Sequence, residues 1–179
     1  EISACLVGSE MCIRDRDKTS ANLNIENRNL NELIELILKR LRPIAKQRNI
    51  DVLYESAREV FAEIDEVKLT LAISNLVENA IKYNKEYGYV KVSLDADHQF
   101  ATIMVEDNGI GIPEEAQEHI FERFYRVDKS HSREIGGTGL GLAIARNAIL
   151  LHRGSIKIDS EEGQGTVFTV KIPIIYVSK

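Results

Sequence analysis

Two asparagines stand one helical turn apart, Asn75 and Asn79, with Lys82 and Tyr83 just beyond them. Downstream lie two glycine-rich turns, Asp107-Asn108-Gly109-Ile110-Gly111 and Gly136-Gly137-Thr138-Gly139-Leu140-Gly141-Leu142. Each group suits a different part of one ligand. A carboxamide oxygen fits Mg2+, which takes oxygen donors and keeps several waters. A lysine can neutralise phosphate charge, and a tyrosine ring can lie against a base. A carboxylate following a strand can accept a hydrogen bond from a purine amine, and glycines let the purine come close to the backbone. A glycine run that opens straight into a helix presents free amides at the positive end of the helix dipole, a place that favours an anion. Thr138 can donate there as well. The second run is neither a Walker loop nor a dinucleotide fingerprint, because the Gly-Lys-Ser/Thr ending and the preceding strand are both missing.

Each feature has a plainer reading that stays open when it is taken alone. The asparagine face could be an ordinary solvated helix surface, Asp-Asn-Gly is a common turn, and a glycine can simply cap a helix. It is their order along one chain that points to a magnesium–nucleotide site.

The elements that must position these residues follow from periodicity. Asn29-Leu30-Asn31-Glu32 reads as a capping box. Leu30, Leu33, Ile34, Ile37, Leu38, Leu41 and Ile44 then form a stripe at helical spacing, with Pro43 expected to kink or break it. Residues 51–55 and 59–64 read as a hairpin. Asp65 is a plausible N-cap for a long helix reaching about Asn84. On that helix Leu69, Ile73, Leu76, Val77 and Ala80 gather on one side, and Asn75, Asn79 and Lys82 on the other. Asparagine is a mediocre helix former, so its presence there suggests a face that meets something. Residues 90–94 and 100–105 read as an antiparallel pair. A short helix is expected from Pro113 through Phe121, a polar aperiodic loop over 126–135, a helix over 140–152 stopped by Gly154, and a closing hairpin of 155–160 with 166–172. Helices interspersed with antiparallel pairs predict an α+β two-layer sandwich.

Composition narrows the function classes. The chain has 179 residues and a formal net charge of −5, enough for one well-buried domain. Both signs are scattered, which argues against a nucleic-acid surface with its clustered Lys and Arg. No apolar run has the length of a membrane span; the parent protein could still be anchored in the inner membrane, with this part in the cytoplasm. Cys5 and Cys12 have neither Cys-x-x-Cys spacing nor a nearby histidine, and two free thiols are the expectation. Residues 1–16 show no period, so 1–21 is expected to be an N-terminal extension outside a domain spanning 22–179.

Five ordered motifs then give a specific resemblance. Asn75-Leu76-Val77-Glu78-Asn79-Ala80-Ile81-Lys82-Tyr83 resembles the N box of the ATP-binding catalytic domain of sensor histidine kinases. Residues 107–113 resemble its G1 box, Phe121-Glu122-Arg123-Phe124-Tyr125-Arg126 its F box, 137–142 its G2 box, and Gly163-Gln164-Gly165-Thr166 its closing glycine motif. The likeness runs from about Asn22 to Ile174 and covers the Bergerat fold shared with type II topoisomerases, Hsp90-type chaperones and mismatch-repair ATPases. It implies ATP and Mg2+ as cofactors, with Asn79 as the metal ligand and Asn75 supporting it. Lys82 would contact phosphate, Tyr83 would stack near adenine, and Asp107 would read the adenine amine beside Gly109 and Gly111. Gly137, Thr138, Gly139, Leu140 and Gly141 would line the triphosphate. Residues 126–135 would form a lid, with Arg133 as its phosphate contact. Phe121 and Phe124 are expected in the core, with partner docking as an added role.

The chain departs from the family in Asn84, where a hydroxyl residue is frequent, and in His131 and Ile135 of the lid. None of its four histidines, His98, His119, His131 and His152, sits in an acceptor motif. The implied partners are therefore a separate histidine phosphoacceptor and dimerisation domain and, further on, a response regulator. Two rivals remain. One is an ATP hydrolase that couples nucleotide to conformational change, against which Asn75 counts because it cannot serve as a general base. The other is an anti-sigma-factor type of serine kinase or binding module.

Overall fold

The computed structural model describes residues 23–127 and 137–178. The segment 1–21, Cys5 and Cys12 among it, and Arg133, His131 and Ile135 lie outside the described residues.

Asn29 ends strand β1 (Ile25–Asn29) and caps helix α1 (Leu30–Gln47), its Oδ1 accepting from the amides of Asn31 and Glu32 at 2.9 and 3.4 Å. The helix buries Leu30, Leu33, Ile34, Ile37, Leu38, Leu41 and Ala45. Its stripe ends on Ala45 and leaves Ile44 exposed. Pro43 does not end the helix, which continues to Gln47. Pro43 and Lys39 both face solvent, so the carbonyl that the proline leaves without an amide can be hydrated.

The expected hairpin of 51–55 with 59–64 does not form. Strand β2 (Asp51–Ser56) runs parallel to β4 (Tyr89–Ala96), while β3 (Phe61–Asp65) pairs antiparallel with β1. The reason lies in the link between β2 and β3. The carboxamide of Asn31 donates to Ser56 Oγ and the Arg58 carbonyl and accepts from the Val60 amide, while the Leu30 amide donates to the Val60 carbonyl. The connection is thereby folded onto the start of α1 instead of closing a tight turn.

Asp65 caps α2 (Glu66–Lys82) as expected, accepting from the Lys68 amide at 3.0 Å. After β4 and β5 (Phe100–Asp107), helix α3 (Glu114–Gln117) lasts one turn and does not reach Phe121. Residues beyond it form successive turns, His119 N–H to the Ala116 carbonyl and Glu122 N–H to that of His119. Helix α4 (Gly141–Leu151), β6 (Ser155–Glu161) and β7 (Gly165–Pro173) complete the chain. The left-handed residue ending α4 is Arg153, φ 59°, and not Gly154. Gly154 is needed for space, since a Cβ there would lie 2.4 Å from the Lys171 carbonyl oxygen.

The sheet order is β2-β4-β5-β7-β6, antiparallel except for β2–β4, with β1–β3 as a separate pair. Alternate residues of the central strands (Val90, Val92, Leu94, Ala101, Ile103, Val105, Phe168, Val170, Ile172) are buried. They form one core with the inner faces of α1, α2 and α4, from which Leu69, Ile73, Leu76 and Ile149 are fully excluded from water. Each such aliphatic side chain contributes about 1.5–3 kcal/mol. The other sheet face carries Lys91, Asp95, Met104, Glu106 and Lys171, which are exposed or half-buried. The architecture is thus the expected α+β two-layer sandwich, one sheet face covered by helices.

Candidate functional site

Packing α2 on the sheet through Leu69, Ile73, Leu76, Val77 and Ala80 leaves Asn75, Asn79 and Lys82 half-buried on the opposite side. That side meets the second glycine turn. A Cβ built on Gly141 would lie 3.5 Å from Asn75 Oδ1, and one on Gly137 would lie 2.2 Å from Lys82 Nζ. Asn75 Nδ2 is buried and makes no hydrogen bond, a costly state for an amide donor unless a partner joins it. Lys82 Nζ also stands 5.2 Å from the centre of the Tyr83 ring. Glu78 points outward, exposed, at 4.0 Å from Arg40.

The first glycine turn closes the other end. The Ile110 amide donates to the Tyr83 carbonyl at 3.1 Å, and a Cβ on Gly109 would lie 2.4 Å from that same oxygen. Gly111 approaches the Glu161 carbonyl more closely still, 2.1 Å from its would-be Cβ. Asp107 ends β5 and accepts from the Gly109 amide at 2.9 Å. Burial pushes its carboxyl up to about 6, against the opposing hydrogen bonds from the Gly109 and Thr166 amides, with the Glu106 charge raising it further. A carboxyl in that state is poised to gain from a donor. Asn84, the residue that departs from the usual hydroxyl, is buried and structural. Its Nδ2 donates to the Tyr89 carbonyl and its Oδ1 accepts from the Lys85 amide, both at 2.9 Å.

Leu140 caps α4, whose first-turn amides have no helical partners. Thr138 is exposed beside it and Gly139 half-buried. Two contacts brace this turn that periodicity does not reveal. The Phe124 amide donates to the Gly139 carbonyl at 2.9 Å, and the Arg126 guanidinium donates to the Gly137 carbonyl at 3.0 Å. Phe124 is therefore not a core residue. It sits at φ 65° and the residue is 71% exposed, whereas Phe121 packs edge-on against Phe168 at 6.2 Å. The signal available in the sequence was only that both belong to one aromatic motif.

The four histidines divide as follows. His98 is exposed in the β4–β5 turn. His119 is exposed, and its hydrogen bond to Glu122 at 2.7 Å raises its pKa. His152 is buried at the end of α4, where Nε2 accepts from the Asp65 amide at 2.9 Å and Nδ1 meets the Ala148 carbonyl at 2.7 Å. His131 lies outside the described residues. Among those residues no group of three or more His, Cys, Asp or Glu could hold a metal, and no helix is long and apolar enough to cross a membrane. The donors that α2 offers are carboxamide oxygens. With the unpartnered amide of Asn75 and bare backbone at Gly137 and Gly141, they fit a metal-bound phosphate chain.

Comparison with known proteins agrees with this geometry. Residues 64–175 match the family described as histidine kinase-, DNA gyrase B-, and HSP90-like ATPase. The chain is 44% identical over 149 residues to the sensor histidine kinase RppB of Synechocystis sp., covering 83% of this chain and 33% of RppB. It is 37% identical over 171 residues to the sensor histidine kinase WalK of Bacillus subtilis, covering 94% of this chain and 28% of WalK. It thus spans about a third of the length of these relatives. Among solved structures, the catalytic domain of histidine kinase ThkA superposes with a TM-score of 0.76 at 32% identity, over 86% of this chain and 97% of that one. ThkA in complex with the response regulator TrrA superposes at 0.72 with 28% identity, over 97% of this chain and 49% of that one. With four-fifths or more of its length aligned to such proteins, the chain belongs to the histidine kinase-, DNA gyrase B- and HSP90-like ATPase family, among the catalytic domains of sensor histidine kinases.

Proposed function

We propose that residues 22–179 bind Mg-ATP between α2 and the two glycine turns. The γ-phosphoryl group then passes to a histidine on a separate dimerisation and phosphoacceptor domain, as in two-component signalling. The observation that carries this reading is that a single helix face reaches both ends of the second glycine turn, Asn75 at Gly141 and Lys82 at Gly137. The same helix ends against the first glycine turn beside Asp107.

The proposed roles follow from these positions. Asp107 accepts from the adenine amine, and Tyr83 lies against the ring. Gly109 and Gly111 leave room for it. Lys82 holds phosphate, together with the backbone at Gly137, Thr138, Gly139, Leu140 and Gly141; Arg133, outside the described residues, is given a phosphate contact on the family resemblance alone. Asn79 offers its Oδ1 to Mg2+, and Asn75 supports it. When bound, Mg2+ supplies charge neutralisation across the phosphates. Phosphoryl transfer asks a protein mainly for positioning and charge stabilisation. The bond from the γ-phosphorus to its bridging oxygen breaks, ADP leaves, and a phosphorus–nitrogen bond forms to the acceptor imidazole. A neutral imidazole attacks through its lone pair and sheds its ring proton afterwards. Asn75, which has no acid–base capacity, is therefore no handicap for transfer, although it would be for hydrolysis.

The ThkA structure with a response regulator supports a response regulator as the downstream partner, acting in the cytoplasm. The test is incubation of the chain with γ-labelled ATP and an isolated acceptor-helix domain from such a kinase. Acid-labile, base-stable label on the acceptor supports the proposal. Rapid phosphate release without acceptor would favour a hydrolase, and acid-stable label on serine the anti-sigma-factor type.

A further inference from the structure

We infer that Arg48 is a positioning residue for the nucleotide site, acting through Lys82; this rests on the functional reading above. Arg48 is the C-cap of α1, far in sequence from every motif of the site. Its guanidinium donates to the carbonyls of Ile81 at 2.9 Å and Lys82 at 2.6 Å. These belong to the last turn of α2, where backbone acceptors lack helical partners and the negative end of the helix dipole lies. Both bonds leave one nitrogen, Nη1, which the planar guanidinium holds in a fixed direction, whereas a lysine ammonium on a flexible stem is placed less firmly.

The stretch leaving α2 is tied to the end of α1 at further points. The Asn49 carboxamide donates to Glu86 at 3.4 Å, and the Asp51 amide donates to the Gly88 carbonyl at 3.0 Å. Arg48 is nevertheless the only one of these groups that touches the helical turn bearing Lys82. Pinning the Lys82 carbonyl fixes the point from which its side chain departs toward Gly137 and the Tyr83 ring. The next carbonyl, that of Tyr83, receives the Ile110 amide of the first glycine turn. One guanidinium on α1 thereby holds the corner at which the two glycine turns are both reached.

Two measurements on the whole chain test this. In the nucleotide-free protein, amide hydrogen exchange is followed in wild type, Arg48→Met and Arg48→Lys. Exchange at Tyr83 and Ile110 is expected to accelerate in Arg48→Met, by less in Arg48→Lys, and not at all at Ile103 and Val105. By calorimetry with Mg-ATP, Arg48→Met is expected to raise Kd about tenfold, or about 1.4 kcal/mol. In a Lys82→Met background the same change should matter less than about twofold, because the two act as one unit. Unaltered exchange at Tyr83 and Ile110, or an undiminished Arg48→Met effect without Lys82, overturns the inference. If Arg48→Met does not fold, Arg48→Lys decides by the same criteria at smaller amplitude. A wild-type chain that ignores Mg-ATP would sink the functional reading, while the exchange experiment still judges the role of Arg48.

Discussion

The Lys82 ammonium stands against Gly137 so closely that a Cβ on that glycine would lie 2.2 Å from Nζ. Gly137 also adopts φ +134°, a conformation that L side chains rarely take. Gly137→Ala should therefore displace both the turn and the lysine. The expected outcome is a rise of about tenfold in Kd for Mg-ATP together with a stability loss of about 1–2 kcal/mol from the strained backbone, the lysine end itself being able to swing aside. Calorimetry and thermal melts check it, and equal affinities would show that Lys82 and Gly137 do not share a ligand.

Asp107 should trade stability for binding. Its carboxyl is raised to about 6 by burial. Below the ordinary carboxylate range it is neutral whether the chain is folded or unfolded, so it changes nothing. Between that range and about 6 the folded state keeps a proton that the unfolded state has lost, so stability falls as pH rises. Asp107→Asn keeps an acceptor for the Gly109 and Thr166 amides without the buried charge. It is expected to melt higher than wild type at neutral pH and alike in acid, while losing nucleotide. Melts across pH, paired with binding, would refute this if the variant were the less stable at neutral pH.

The same carboxyl predicts a pH profile for the base. An amine donor favours the ionised acceptor, so adenosine, which has no phosphate to titrate, should bind more weakly as pH falls through about 6. Chemical-shift titrations at several pH values test this. A flat profile would remove Asp107 from base recognition.

Gly165 should tolerate no side chain. It sits at φ +124°, and its would-be Cβ lies 2.0 Å from the Asp107 carbonyl oxygen, a backbone atom that cannot swing aside. Gly165→Ala is expected to cost about 3 kcal/mol, read by denaturant unfolding.

His152 joins the end of α4 to the start of α2, and its removal is expected to be a stability lesion rather than a catalytic one. His152→Ala leaves the Asp65 amide without its partner and opens a cavity, together worth about 3 kcal/mol. A variant that melts like wild type would show the junction to be dispensable.

What the sequence disclosed, and what it hid, divides by distance along the chain. The asparagine face of α2 and the caps at Asn29 and Asp65 are set by neighbours a few residues away, and both were legible. So were the antiparallel pairs β4–β5 and β6–β7, each closed by a short turn. The pairing of β3 with β1 was not, because Ile25-Glu26-Asn27-Arg28-Asn29 shows no apolar alternation and its partner is chosen by the loop that Asn31 folds. The turn following α3 misled for a related reason. Phe121 and Phe124 have helical spacing, but the Phe124 backbone is committed to Gly139 across the site. Arg48 gave no local sign at all, since its partners lie 33 and 34 residues further on.

The parallel pairing of β2 with β4 closes a loop of chain that contains β3 and the whole of α2. Such a loop carries an entropic cost that antiparallel neighbours joined by tight turns escape, so this edge of the sheet should zip up late in refolding. Pulse-labelled amides of Leu53 and Glu55 should gain protection after those of Ile103 and Val105. A finished sheet edge would then report that the helix proposed to meet the nucleotide is already seated, making completion of the scaffold and readiness of the proposed pocket a single folding event.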